Sequence, residues 1–201
     1  FVEAFGPALI AELATIVPGV SLRFAAKPEK SARPLWAGWV DLEIGVLGAM
    51  GTEIRVQALF RDRFVGVVSR SHPLAGTRNM TTSQYVNWPH VVTSRRGLLT
   101  GPVDEGLAQA GFARRIAAIV PGFPAALAVV RRTDFIALVP ASFLINLAAP
   151  EAWFTFELPV KTERITVSQM WHPRTEVDPA HRWLRQFMRD ICSRLVPALK
   201  E

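Results

Sequence analysis

The histidines and the single cysteine are the side chains of this sequence best suited to bind a metal ion or to act as a base or nucleophile. The histidines have neither HxxxH nor HExxH spacing, and no cysteine or carboxylate cluster accompanies them, so the sequence predicts no metal site. Cys192 lies in an amphipathic segment, which indicates a buried structural thiol and not a reactive one. The four histidines are His72, His90, His172 and His181.

Catalytic and nucleotide-binding motifs are also missing from the sequence. The serines lie outside any GxSxG elbow, and a hydrolase would need a nucleophile and a base that the sequence does not name. The glycines of GVLGAMG are spaced G-x-x-G-x-x-G, which is not the dinucleotide fingerprint, and no GxxxxGK[ST] motif occurs. We therefore expect no cofactor and no enzymatic activity.

The middle of the chain alternates apolar runs with stretches of helical length. Gly101 and Pro102 are placed to start the first helix, which Gly111 would end, and Pro124 stands in the first turn of the second. Strand, helix, strand, helix, strand predicts parallel strands joined by right-handed crossovers. The predicted strands are 91–94, 116–121 and 135–140, and the predicted helices are 101–111 and 123–131.

Three small residues stand where these predicted strands end. Ser94, Gly122 and Ser142 should share one edge of the sheet, and ligands of open α/β sheets bind at that edge. Phe123 follows Gly122 at a helix start, where free backbone N–H groups can meet a polar or anionic group.

The remaining elements suggest a second, similar domain. The predicted helices are 5–16, 29–37, a short one capped by Thr81-Thr82, 142–148 and a final amphipathic helix capped by Asp178. The predicted strands are 20–25, 39–45, 54–61, 64–69, 154–158 and 165–171, and a glycine-rich loop spans 46–51. A domain built on a parallel sheet normally opens with a strand, whereas this one opens with the helix predicted at 5–16. We therefore expect the first strand of this domain to be missing or to end just before the chain begins.

Length and composition indicate a globular protein. The chain has 201 residues, half of them apolar and 20% charged, with no apolar run of membrane-spanning length. The net charge of +6 is scattered in arginine pairs, which favours a solvated face or helix ends finished with cations over a nucleic-acid site. The pairs are Arg95-Arg96, Arg114-Arg115 and Arg131-Arg132.

Several motifs, in this order and spacing, give the chain a family resemblance. They are PALIAEL…PGVSLRF, GWVDLEIG, LFRDRFVGVVSRSHPLA, GPVDEGLAQAGFARRIAAIVPGF, TDFIALVP and WHPRTEVDPAHRWLRQF. Over nearly its whole length the chain resembles the effector-binding domain of LysR-type transcriptional regulators. The second half is most similar to the branch of nodulation and aromatic-catabolism regulators.

The resemblance implies an α/β fold of two doubly wound subdomains joined by two crossing strands, the type 2 periplasmic-binding-protein fold. Subdomain I would comprise residues 1–66 plus 169–201, and subdomain II residues 67–168. A small organic effector would bind in the cleft between them. The implied contacts are Val46, Leu47, Asp62, Ser94, Thr100, Gly122, Phe123, Ser142, Ser168 and Met170.

The implied function is effector sensing and dimerisation in a cytoplasmic transcription regulator that is not embedded in a membrane. The effector would be aromatic or carboxylate-bearing, although relatives that bind aromatic acids have histidine or arginine at some of these positions. This chain has Asp62, Thr100 and Ser142 there, so the effector's charge stays open. The protein would form a homodimer or homotetramer and bind DNA only through an N-terminal winged helix-turn-helix outside these residues. The alternative is a transport solute-binding protein with the same fold.

Overall fold

The structure is a computed structural model that describes residues 1–26, 31–48, 53–145 and 149–196. The chain forms two compact units. Unit 1 comprises Phe1–Asp62 and Ile165–Glu201, and unit 2 comprises Arg63–Arg164. The predicted boundaries, after residues 66 and 168, each lie four residues beyond the observed ones.

Unit 1 is built around a three-stranded sheet whose central strand comes from the C-terminal segment of the unit. The bounds are α1 Val2–Ile16, α2 Arg33–Trp36, β1 Glu43–Val46, β2 Arg55–Asp62, β8 Ile165–Trp171 and α6 Pro179–Leu195. Strand β8 is antiparallel to both of its neighbours, β1 and β2. Helices α1 and α6 pack against each other.

Helix α6 confirms the amphipathic prediction. The Asp178 side chain caps it by accepting a hydrogen bond from the His181 N–H at 2.6 Å. Phe187, Met188 and Ile191 are among its buried side chains. Cys192 is also fully buried, and desolvation raises the pKa of its thiol to about 12, as befits a structural cysteine.

Several sequence predictions for unit 1 were wrong in extent or kind. Residues 20–25 form no strand and are mostly exposed. Residues 29 and 30 of the helix predicted at 29–37 lie outside the described residues, and the rest forms only the single turn Arg33–Trp36, with Pro34 in its first turn. The strand predicted at 39–45 is Glu43–Val46. Helix α1 begins at Val2 instead of residue 5. Part of the predicted 46–51 loop lies outside the described residues.

Unit 2 contains a five-stranded mixed sheet. The bounds are β3 Phe64–Ser69, α3 Thr82–Val86, β4 Pro89–Thr93, α4 Asp104–Gln109, β5 Arg115–Val120, α5 Phe123–Val130, β6 Ile136–Pro140 and β7 Trp153–Phe156. The strand order is β5-β4-β6-β3-β7. Strand β4 is parallel to β5 and β6, which confirms the predicted parallel pairing, and β3 is antiparallel to β6 and β7. The described residues between β6 and β7 include two 3-10 helices, Ala141–Leu144 and Pro150–Ala152.

Alternating side chains of β6 show how both faces of this sheet are covered. Ile136 and Leu138 pack into one cluster with Tyr85 and Phe156, whereas Ala137 packs against α5 on the opposite face. The predicted helix 142–148 is a 3-10 turn, Ala141–Leu144, as far as the described residues show it.

A partly buried ion pair fixes α4 beside the start of β5. The Arg114 guanidinium donates to both carboxylate oxygens of Asp104, from Nε at 2.8 Å and from Nη2 at 2.7 Å. Burial alone would raise the pKa of Asp104, but hydrogen bonds from Arg114 and from the Gly101 N–H, with the charge of Arg114, lower it overall. The pair is therefore held in its charged form.

Candidate functional site

The three parallel strands of unit 2 end at one edge of the sheet, which we name the carboxyl edge. Ser94 directly follows β4, Gly122 follows β5 after one residue, and Ser142 lies in the 3-10 helix that follows β6. The Ser94 N–H donates to the carbonyl of Val120 at 2.9 Å, which joins the ends of β4 and β5. The structure thus brings these three predicted site residues to the same edge.

Ser94 organises the loop after β4. Its Oγ accepts a hydrogen bond from the Leu98 N–H at 2.8 Å, so the hydroxyl keeps its proton available for another acceptor. Leu98 and Leu99 are 46% and 61% exposed, and Thr100 is exposed beside them. This loop therefore presents apolar side chains together with a hydroxyl.

Gly122 precedes an uncapped helix. It has extended backbone angles, φ −157° and ψ 161°, and no side chain caps the start of α5. The first N–H groups of a helix have no partner inside it, and the helix dipole places partial positive charge there. Pro124 in the first turn supplies no N–H group. The remaining donors suit a carboxylate, phenolate or carbonyl oxygen.

An aromatic pair stands beside these donors. The ring centroids of Phe123 and Phe143 are 5.3 Å apart, and both rings pack at the margin of a cluster that contains Val65 and Leu127. The sequence analysis included Phe123 but missed Phe143. The signal for Phe143 was its place next to Ser142 after a predicted strand.

Thr93 is a second residue that the sequence analysis missed. It is the last residue of β4, and its Oγ1 is buried without a hydrogen-bond partner among the described residues. Buried hydroxyls are nearly always paired, so an unpaired one at a sheet edge is a candidate ligand contact. Its signal was a polar residue ending an apolar run.

The five predicted site residues of unit 1 lie in different environments. Val46 and Leu47, at the end of β1, are 44% and 51% exposed. Asp62 and Ser168 are 1% and 4% exposed, and Asp62 is engaged with other groups. Met170 is fully buried against the cluster of Ala32, Leu35 and Ile54, so its side chain belongs to the core of unit 1.

A surface depression of about 530 Å³ also adjoins the carboxyl edge of unit 2. Its lining includes Arg63 and Glu157, which form an ion pair, as well as Leu144 and Thr155. Hydrogen bonding and charge from Arg63 lower the pKa of Glu157. Arg63 and Glu157 thus neutralise each other, and Arg78 in the same lining leaves one positive charge at this place.

Metal chemistry finds no support in the described part of the chain, where no three His, Cys, Asp or Glu side chains come together to hold an ion. In the same residues, no helix is long and apolar enough to span a membrane.

Comparison with known proteins identifies the chain's relatives. Residues 1–193 match the family model described as LysR substrate binding domain. The chain is 31% identical over 191 residues to the HTH-type transcriptional activator NagR of a Ralstonia species, covering 94% of this chain and 63% of that protein. It is 29% identical over 180 residues to Nodulation protein D 1 of Rhizobium tropici, covering 89% and 58%.

Solved structures agree with these relatives. The regulatory domain of MexT, a transcriptional activator in Pseudomonas aeruginosa, superposes with a TM-score of 0.82 at 26% identity and covers 94% of both chains. These similarities confirm the predicted α/β fold of the periplasmic-binding-protein type and the predicted branch of relatives. The chain spans between about half and two thirds of the length of the curated relatives it matches.

Proposed function

The chain belongs to the LysR substrate-binding domain family, and from this premise we propose that it senses a small organic effector on behalf of a transcription regulator. The relatives described above are regulators, which favours this function over the alternative of a solute-binding protein for transport. We also propose that the chain has no enzymatic activity and works in the cytoplasm. Sequence-specific DNA binding would come from an N-terminal winged helix-turn-helix, as in proteins named HTH-type regulators.

The observation that carries the proposal is the convergence at the carboxyl edge of unit 2. An uncapped helix start at Gly122, the hydroxyls of Ser94 and Ser142, and the ring of Phe123 lie at the ends of three adjacent strands. Backbone N–H groups and the Ser94 hydroxyl provide hydrogen-bond donors, and the ring provides an apolar surface. Such a combination binds a small molecule with a flat apolar body and an oxygen-rich end.

We propose an aromatic or carboxylate-bearing effector. A carboxylate at Asp62 would instead suit a neutral or cationic effector. Asp62 is 1% exposed, so a ligand would meet its carboxylate only if the surroundings moved. Thr100, Val46 and Leu47 are accessible and remain proposed contacts, whereas Ser168 and Met170 could reach a ligand only if their surroundings moved.

The Gly122→Asp variant tests the site. Extended angles at Gly122 admit any side chain, and an added Cβ would meet only Pro124 Cδ, at 3.6 Å, which is an ordinary contact. Aspartate is also a good helix cap, so thermal unfolding should stay near normal. The new carboxylate would occupy the free N–H groups and repel an anionic ligand.

The measurement is calorimetric titration with benzoate, hydroxylated benzoates and the uncharged analogue benzyl alcohol, after a thermal-shift screen selects the member that binds. Gly122→Ala is the matched control, because it adds the Cβ without the charge. We expect Gly122→Ala to bind within a few-fold of the parent and Gly122→Asp to lose binding. Equal affinity in both would remove Gly122 from the site, and tighter binding by Gly122→Asp would reverse the inferred ligand charge.

We further propose that the chain self-associates as a homodimer or homotetramer through α1 and the region of α4. Val2, Ile10 and Ile16 of α1 are 42%, 52% and 53% exposed, which is an apolar surface that a partner would cover. Val103 and Leu107 lie in the core of unit 2, so on the α4 side Phe112, 38% exposed, is the better contact. Sedimentation over a concentration series tests this, and a strict monomer at high concentration would contradict it.

A further inference from the structure

The positive charge of the chain is concentrated in unit 2. By sequence, unit 2 holds eleven of the arginines and lysines but only six of the aspartates and glutamates, so it carries five of the six net positive charges. Unit 1 is nearly neutral. A surface that contacts a polyanion should therefore be sought on unit 2.

Four arginines of unit 2 lie at the edge where its parallel strands begin, opposite the carboxyl edge, and we name this the amino edge. Arg115 opens β5 and pairs with Pro89 at the start of β4. Arg131 and Arg132 follow α5 on the way into β6. Arg70 follows β3, which runs antiparallel to β6 and therefore ends where β6 begins.

The amino edge is held together by specific contacts. His72 Nε2 lies 3.2 Å from the carbonyl oxygen of Asp134, which joins the turn after β3 to the entry of β6. The His72 ring meets the edge of Trp88, with centroids 4.5 Å apart, and the Arg70 guanidinium lies 6.0 Å from the ring centroid of Phe154. These contacts hold the backbone of the amino edge in place, so the arginines do not extend from a long loop.

These four side chains are available to a partner. All four residues are exposed, and none forms an ion pair in the part of the chain that the structure describes. Two exposed acids, Asp134 and Glu151, lie at the same edge, so the four cations keep an excess of two positive charges.

We propose that the amino edge of unit 2 contacts the phosphate backbone of duplex DNA without reading its sequence. From β5 to β3 the edge spans three strand spacings, about 14 Å, and that length of duplex carries roughly four phosphates on each strand. Arginine suits phosphate because its guanidinium donates two parallel hydrogen bonds. This contact goes beyond effector sensing, and its failure would leave the carboxyl edge and its ligand unaffected.

Two rival explanations use the same residues. In the first, Arg131 and Arg132, which follow the last turn of α5, would only stabilise the C-terminal end of that helix through its dipole, and their replacement would lower the unfolding temperature. An acidic protein surface could also occupy the edge. Phosphate is favoured because the relatives are HTH-type regulators, which work beside DNA.

The experiment titrates the 201-residue chain into a fluorescein-labelled 30-base-pair duplex of arbitrary sequence, from about 50 to 200 mM salt. One variant is Arg131→Gln with Arg132→Gln. The matched control is Arg95→Gln with Arg96→Gln, a pair that carries the same charge but lies at the carboxyl edge. Four neutralised phosphates predict a slope of log affinity against log salt of about −3.6, and loss of two arginines should bring it to about −1.8.

We expect the amino-edge variant to lose half of the slope and the control to keep it, with both proteins unfolding at the parent temperature. Equal losses in the two variants would show diffuse charge and overturn the proposal. So would an absence of binding at the lowest salt. Stronger binding of poly-glutamate than of DNA, with the same dependence on Arg131 and Arg132, would assign the edge to an acidic protein instead.

Discussion

Replacing His90 by glutamine should change how the stability of unit 2 depends on pH. His90 is fully buried at the start of β4, with Nε2 3.1 Å from the carbonyl oxygen of Tyr85. Because a carbonyl only accepts, Nε2 carries the proton of the neutral ring. Nδ1 is buried and has no partner among the described residues. Desolvation and the positive charge of Arg114 lower the pKa of His90 to about 4.

The magnitude follows from linkage between protonation and folding. The unfolded chain protonates this histidine near pH 6.5, whereas the folded chain does so near pH 4. Between these values the unfolded state binds more protons, so stability falls as the pH falls. At 1.36 kcal/mol per pKa unit the loss is about 3 kcal/mol across the window. It is absent above pH 6.5 and complete below pH 4.

Urea unfolding of the parent and His90→Gln from pH 4 to pH 7 measures this loss. The glutamine amide can still donate to the Tyr85 carbonyl but does not titrate. The pKa of His72 is also lowered by burial, but both proteins retain His72, so the difference between them isolates His90. Amide exchange of Val91 and Val92 in β4 assigns the transition to unit 2.

Tyr85→Phe is the matched control for this experiment. It disturbs the same buried site but leaves the imidazole and the backbone carbonyl in place. We expect Tyr85→Phe to keep the parent's pH slope even if its stability is lower throughout. A His90→Gln slope equal to that of the parent would refute the argument that burial of a neutral His90 causes the dependence.

Other variants test single contacts. Gly66→Ala should lower the free energy of unfolding by about 1–3 kcal/mol, because its Cβ would lie 2.4 Å from ring atoms of Phe156. Gly45→Ala is the control, because open space surrounds that position, and urea titrations should show no loss of this kind for it. Asp104→Asn should destabilise unit 2 by about 1–3 kcal/mol, since it leaves a buried guanidinium poorly paired; a calorimetric melting temperature equal to the parent's would contradict this. Asp178→Ala should cost about 1 kcal/mol through the lost helix cap, and Asp178→Asn should recover most of it in thermal melts.

Elements of unit 2 were predictable because their signals are local. The run of Pro, Gly and apolar residues fixed the order of strands and helices, and that order determines which strand ends meet. Thr81 illustrates the same point, because its predicted cap is a full capping box with Gln84. Ser94, Gly122 and Ser142 could therefore be placed on one edge without any tertiary information.

The failures concern features that depend on partners distant in sequence. Apolar and polar side chains alternate along residues 20–25, which is the pattern of a strand. A strand also needs a neighbouring strand to hydrogen-bond with, and these residues pair with none in the described chain. Alternation puts Ser168 and Met170 on one face of β8. This face is covered because Leu35 of α2 packs into one cluster with Met170, a contact between residues distant in sequence. The contact between Phe123 and Phe143 likewise depends on how α5 lies over the sheet.

The burial of Cys192 makes this protein a convenient host for chemical probes. It is the sole cysteine, and with a thiol pKa of about 12 only about one molecule in ten thousand carries a thiolate at pH 8. An ordinary exposed cysteine is about a quarter ionised at that pH, and its sulfur is also accessible. A cysteine introduced at Thr100 or Leu99 would thus take a maleimide dye or nitroxide selectively. The loop after β4 could then report ligand binding by fluorescence or spin resonance without removal of the native thiol.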